Sequence, residues 1–158
     1  MSRRDEAPVI SRSVPAEAGE ILALQKRAFR TEADRYRCCD IQPLKQTLEE
    51  LRVEYKTKVV LKAVVGQTIV GSVRGSQTGD LCWVEKLMVH PDFRKRGLGT
   101  ALMGELERCF PTAARFGLST AEKSEDNVRL YEKRGYVVVD RVVGDKDIAM
   151  VTMEKRIS

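Results

Sequence analysis

His90-Pro91-Asp92-Phe93-Arg94-Lys95-Arg96-Gly97-Leu98-Gly99 decides the fold, because a strand-like run enters it and a helical period leaves it. Upstream, Leu81 to Val89 reads as a strand. Downstream, Leu98, Ala101, Leu102, Leu106 and Cys109 recur at the spacing of one buried helical face, which ends near Pro111. A strand, a basic turn and a helix beginning with Gly97 and Gly99 place unpaired backbone N–H groups at a helix N-terminus, a geometry that binds phosphate. Glycines lack Cβ atoms and let an anion approach the main chain. Arg94, Lys95 and Arg96 add attraction, and the helix dipole acts in the same direction.

Moving outward, Val59 to Val65, Thr68 to Gly75 and Leu81 to Val89 are separated by the turn signals Gly66-Gln67 and Thr78-Gly79-Asp80 and read as an antiparallel meander. Before them come a short strand, Val9 to Ser13, and a helix opened by Pro15 and Ala16, with Ile21, Leu24 and Ala28 in its apolar stripe. A second helix is expected from Pro43, with Leu44, Leu48, Leu51 and Tyr55 on one face, and Thr31 to Gln42 reads as the loop between the two. After the central helix, Arg115 to Thr120 reads as a strand. Ser124 then caps a short helix through Asn127 and Tyr131, which stops at Lys133, Arg134 and Gly135. Tyr136 to Arg141 and Ile148 to Glu154 close the chain as strands.

The 158 residues suit one domain, and 42% hydrophobic with 32% charged residues is ordinary for a chain that buries a core. No repeat or linker divides it, and residues 1–8 are expected as a flexible tail. No apolar run approaches the ~20 residues of a membrane span. Arg3, Arg4, Asp5 and Glu6 are unlike a signal-peptide core or an acid-free transit peptide, so a cytoplasmic protein is expected. Cys38, Cys39, Cys82 and Cys109 form no C-x-x-C pair, and His90 is the single histidine. Zinc or redox sites and a Ser-His-Asp triad therefore have little to work with, and no metal is expected.

A net charge of +5 and a pI near 9.1 favour anionic partners in general. No recognition helix or aromatic RNA-binding signature accompanies them, so a nucleic-acid partner is not expected, nor is a membrane. Among phosphate ligands, the P-loop pattern fails for want of a lysine after Gly99. The dinucleotide fingerprint fails because Leu102 stands where its third glycine belongs.

Val89 to Gly99 instead resembles the acetyl-CoA motif of the GNAT superfamily of N-acetyltransferases, Gln/Arg-x-x-Gly-x-Gly/Ala after a strand. Asn127-Val128-Arg129-Leu130-Tyr131-Glu132-Lys133-Arg134-Gly135-Tyr136 resembles the second motif of that superfamily, an asparagine and a tyrosine one helical turn apart. The order of elements over nearly the whole chain is also similar. The resemblance implies an α/β (α+β) fold with a mixed, mostly antiparallel sheet of six to seven strands and four flanking helices. It implies acetyl-CoA as cosubstrate and transfer of its acetyl group to a primary amine of a small molecule or peptide. A non-catalytic acyl-CoA-binding module on the same fold is the alternative. Dimers are common in the superfamily, so a homodimer is compatible, although no exposed apolar stripe is expected to mark an interface.

Residue by residue, the resemblance implies that the strand at Leu87, Met88 and Val89 splays at a bulge, bonds the pantetheine arm and polarises the thioester carbonyl. The amides of Arg94, Lys95, Arg96, Gly97, Leu98 and Gly99, with Thr100, hold the pyrophosphate. Asn127 bonds the pantetheine arm, and Tyr131 protonates or stabilises the departing thiolate. Glu85 is the candidate base, because strict alternation along Leu81 to Val89 puts Trp83, Glu85, Leu87 and Val89 on one face. The acceptor site is expected within Phe29 to Leu44, including Arg35, Tyr36, Arg37, Cys38, Cys39 and Gln42. Glu32, Asp34, Asp40, Glu49 and Glu50 suit a cationic amine, whereas Arg30, Arg35 and Arg37 suit a carboxylate, and the sequence leaves both open.

Overall fold

The computed structural model describes residues 7–35, 41–144 and 147–157. In chain order these form β1 (Val9–Arg12), α1 (Ala18–Arg35), α2 (Gln42–Lys45), α3 (Leu48–Glu54), β2 (Val59–Val65), β3 (Thr68–Thr78), β4 (Leu81–Val89), α4 (Leu98–Arg108), β5 (Arg115–Ala121), α5 (Glu125–Lys133), β6 (Val137–Val143) and β7 (Ala149–Arg156). The described strands make one sheet in the order β1-β2-β3-β4-β5-β7-β6. All neighbours are antiparallel except β4 and β5, which are parallel. This is the expected mixed sheet, with four helices of seven residues or more around it.

Each face of the sheet carries a helical layer, which stops short of β6. On one side Leu98, Leu102, Met103 and Leu106 of α4, with Tyr131 of α5, pack on Val73, Val84, Phe116, Leu118 and Met153. Gly71 and Gly75 of β3 allow α4 to lie close, since a Cβ on Gly71 would come 3.0 Å from Leu102 Cδ1. On the other side Ala18, Ile21, Leu22 and Leu24 of α1, with Leu51 of α3, pack on Ile69 and Met88. Burial of such side chains, at about 1.5–3 kcal/mol each, is the main force that closes both layers.

The structure departs from the sequence reading in the acceptor-side helices. α1 runs on to Arg35, so the five residues from Thr31 to Arg35, expected in a loop, are helical. The expected second helix is two: α2 stops at Lys45 and α3 starts after Thr47, whose side chain accepts from Glu50 N (3.2 Å) while Glu50 Oε1 accepts from Thr47 N (2.8 Å). This capping box, Thr47-x-x-Glu50, was legible but is masked by the continuous apolar spacing of Leu44, Leu48 and Leu51. Tyr36 to Asp40, including Cys38 and Cys39, lie outside the described residues, as does most of the expected tail.

Two further corrections concern the end of the chain. Ser124 stands at the N-cap of α5 and its carbonyl accepts from Val128 N, but its hydroxyl makes no capping bond. The C-terminal stop is as expected: Gly135 has φ +99°, Tyr136 N donates to Tyr131 O and Gly135 N to Glu132 O, both at 3.0 Å, which together form a Schellman motif. Against the expectation of no apolar stripe, β6 exposes Val137, Val138, Val139, Val142 and Val143 by half or more on an edge strand.

Candidate functional site

β4 and β5 share only the pairs Leu81↔Arg115, Cys82↔Phe116 and Trp83↔Gly117, after which the strands diverge. Beyond that point β4 carries a bulge. Ser72 pairs with Met88 and Arg74 with Glu85, so Val73 alone opposes Lys86 and Leu87. Lys86 takes φ +58°, the left-handed region that bulges normally reserve for glycine, at a cost of about 1–2 kcal/mol.

The bulge overturns the alternation expected from the sequence. Trp83 and Glu85 lie on the α1 face, but after the extra residue Leu87 and Val89 pack against the α4 cluster and Met88 against the α1 cluster. Glu85 therefore does not share a face with Leu87 and Val89. Its carboxylate pairs with Lys58 Nζ, which also bonds Glu54 Oε1 at 2.7 Å. Glu54 in turn faces Arg74, with Nη1 to Oε2 3.7 Å. Arg74 is fully buried, donates to Gln25 Oε1 at 2.5 Å, and leaves Nε and Nη1 without a hydrogen-bond partner. Burial pushes the Glu54 carboxyl up, but Lys58 and Arg74 outweigh it and hold it below its ordinary value.

Where β4 leaves β5, a cleft of about 430 Å³ opens toward the N-terminus of α4. Leu87, Met88 and Val89 line it from β4, Ala28, Phe29 and Thr31 from α1, and Asn127 and Leu130 from α5. Arg94, Lys95, Gly97, Leu98, Gly99 and Thr100 line its turn side. The turn is shaped by two left-handed residues, Lys95 at φ +63° and Gly97 at φ +79°. Gly97 is the N-cap of α4, and a Cβ there would meet nothing within 4 Å. A side chain at Gly97 would thus project into open space beside the amides. Gly99 faces inward, and a Cβ on it would come 2.8 Å from Leu130 Cδ1 of α5, so its small size sets the α4–α5 approach.

The side chains of the turn have distinct tasks. Arg94 Nη2 donates to Ala28 O of α1 at 3.1 Å, tying the turn to the opposite wall. Arg96 does not line the cleft; its guanidinium lies 5.5 Å from the Phe93 ring centroid. His90 Nδ1 accepts from Asp92 N at 3.1 Å and caps the one-turn helix Pro91–Phe93, a structural part that fixes how β4 enters the turn.

Of the remaining site residues expected from sequence, Asn127 reaches the cleft and Tyr131 does not line it. Tyr131 is 6% exposed, in the core beneath α5, with its ring edge-on to Tyr136 at 6.0 Å. Glu85 also stays outside the cleft. The residues that sequence reasoning passed over are Gln25, Glu54, Lys58 and Arg74. A lone arginine among valines and glycines in Thr68 to Gly75 was the available signal, since a central strand has no solvated place for it. Among the described residues, no group of three His, Cys, Asp or Glu could hold a metal ion, and no helix is long and apolar enough to cross a membrane.

A sheet that splits between two parallel strands, with a bulge above the split and an amide-lined turn at its mouth, defines the fold of the acyl-CoA N-acyltransferases. The model of the acetyltransferase (GNAT) domain matches residues 33–157. An acetyltransferase of Yersinia pestis (strain Pestoides F) is 31% identical over 96 residues, 60% of this chain and 68% of that protein. One of Pectobacterium atrosepticum is 34% identical over 93 residues, 58% of this chain and 66% of that one. In fold, the chain is similar to PaiA N-acetyltransferase from Thermoplasma acidophilum in complex with coenzyme A, with TM-score 0.79 and 14% identity over 96% of this chain and all of that one. It is likewise similar to YncA from Salmonella typhimurium with acetyl-CoA, with TM-score 0.76 and 15% identity over 97% and 95% of the two chains. The chain belongs to the GNAT acetyltransferases.

Proposed function

We propose that the chain transfers the acetyl group of acetyl-CoA to a primary amine of a small molecule or peptide, by direct attack of the amine on the thioester. The observation that carries this reading is the continuity of one cleft from the left-handed turn at Lys95 and Gly97 to the bulged strand at Leu87 to Val89. In this reading the amides of Arg94 to Gly99, with Thr100, hold the pyrophosphate at the N-terminus of α4. The open edge of β4 bonds the pantetheine arm, and a main-chain N–H of Leu87 to Val89 polarises the thioester carbonyl as charge builds on its oxygen. Asn127 bonds the arm from the other wall.

Amine attack also requires that a proton leave nitrogen and that one reach sulfur. Tyr131 lies one turn beyond Asn127 on α5, buried beneath the cleft wall rather than lining it, and is the proposed proton donor to sulfur, a role that requires its hydroxyl to reach the thiolate when the ligand is bound. Glu85, held by Lys58 outside the cleft, is assigned instead to the ion-pair chain, and the ammonium proton passes to water. The acceptor enters over α1, between Phe29 and Thr31.

Calorimetry tests this reading, with acetyl-CoA, CoA, ATP and NAD titrated into wild type and Gly97→Asp. The expected result is micromolar binding of acetyl-CoA and CoA alone, abolished by the substitution, which puts a carboxylate where the pyrophosphate is proposed to lie. Release of CoA thiol with at least one member of an amine panel, slowed by Tyr131→Phe with acetyl-CoA affinity unchanged, completes it. Absent binding would overturn the reading.

A further inference from the structure

Two cations of α5, Arg129 and Lys133, line the cleft, and the roles assigned above leave them unused. They stand four residues apart, so their side chains rise from one face of the helix about 6 Å from each other. Six residues separate Asn127 from Lys133, about 9 Å along this wall. A base in the last turn complements the helix dipole whichever way it points. That both Arg129 and Lys133 also border the cleft is not required by it. Arg129 is held only loosely, by Glu125 at 4.0 Å with both side chains largely exposed, an ion pair that costs little to give up.

The charges of the cosubstrate fall in two groups: a pyrophosphate, and a phosphomonoester on the adenosine 3′-oxygen that carries about −1.5 to −2 at neutral pH. The turn supplies amides and nearby cations for the first. Its guanidinium groups are partly committed elsewhere, Arg94 to Ala28 O and Arg96 to the Phe93 ring. Asp126 is the one acidic side chain among the described lining residues, and it stands next to Asn127 rather than beside Lys133. The farther end of the α5 wall is thus cationic with no assigned anion.

We propose that Arg129 and Lys133 form a second phosphate subsite, which takes the adenosine 3′-phosphomonoester and lets the enzyme distinguish acetyl-CoA from its dephospho form. The inference rests on the acetyl-CoA reading above. Two largely exposed, charge-assisted contacts give about a tenfold preference for the phosphorylated ligand.

The test is a calorimetric cycle on the full chain with acetyl-CoA and acetyl-dephospho-CoA. It compares wild type, Arg129→Ala/Lys133→Ala, and Arg52→Ala/Lys56→Ala, which removes the same charge from exposed positions on α3 and the turn after it. The expected result is an affinity ratio of about ten in wild type and in the α3 variant, falling to near one in the α5 variant, whose dephospho affinity changes by less than about twofold. A wild-type ratio near one, or a ratio that survives in the α5 variant, overturns the subsite and leaves the acetyl-CoA reading standing. Loss of the ratio in the α3 variant as well would also overturn it, since the effect would then be net charge alone. Failure of wild type to bind either thioester would instead remove the cofactor reading, and the subsite with it.

Discussion

Glu54→Gln isolates the electrostatics beneath the sheet. The substitution keeps shape while removing one charge, and it turns one of the two acceptor oxygens, which take bonds from Lys58 Nζ and Gln46 Nε2, into a donor. Arg74 has no exposed surface, and Glu54 Oε2, 3.7 Å from its Nη1, is the carboxylate that compensates it. Glu85, its register neighbour, is already engaged by Lys58. Stranding a buried cation costs about 3–5 kcal/mol, and the residual field of Glu85 places the expectation at the lower end, about 3 kcal/mol. At about 2–4 °C per kcal/mol for a domain of this size, Tm falls by about 6–12 °C. Arg74→Met removes the group that needs compensation, so the double variant Glu54→Gln/Arg74→Met recovers at least about 1 kcal/mol over the sum of the singles. The sign with pH follows from the depressed folded-state pKa of Glu54. Its contribution is present above the ordinary carboxylate range and is lost as the pH falls through the folded value, so the gap between wild type and Glu54→Gln closes on acidification. Thermal unfolding at pH 7 reads the Tm change, and urea unfolding at pH 7 and at stepwise lower pH reads the double-variant cycle and the pH dependence. A Tm loss under 2 °C, or strict additivity in the double variant, refutes the reasoning.

Thiol chemistry offers a second check, because burial pushes Cys82 up to about 12 whereas Cys109 is exposed. Iodoacetamide at pH 8 should alkylate Cys109 and spare Cys82 in the folded protein, read by peptide mass spectrometry; equal labelling would contradict the packing of β4. Gly99→Ala gains helix propensity of about 1 kcal/mol but drives a methyl to 2.8 Å from Leu130 Cδ1, so a net loss of about 1 kcal/mol is expected by urea unfolding. In a Leu130→Ala background, which vacates the space, the same methyl should instead stabilise by up to about 1 kcal/mol.

Much of this was legible in the sequence because local signals and tertiary demands agreed. The meander, the turn before α4 and the Gly135 stop each carry their own residues, and the two motifs gave the family. What escaped was what local pattern cannot encode. The bulge at Lys86 uses a lysine where glycine would have announced it, and one extra residue reverses the facing of everything after it. That is why the placement of Glu85 failed while Leu87 to Val89 reached the cleft. The chain Arg74–Glu54–Lys58–Glu85 joins β3, α3, the turn after α3 and β4, and no periodicity links residues so far apart in sequence. β6 escaped for the opposite reason: a run of valines gives no local sign that the strand will stand at the edge of the sheet with those side chains half or more exposed.

The three shared pairs of β4 and β5 make the sheet two leaves joined at one end, bound on one side by the core under α4. Past Trp83 the edge of β4 that faces the gap has no described strand beside it. A ligand running along this edge would supply the missing rung and tie the two leaves together. Amide hydrogen exchange along Leu87 to Val89 would accordingly report occupancy more directly than any change in shape, slowing when the slot is filled in a molecule whose outline stays the same.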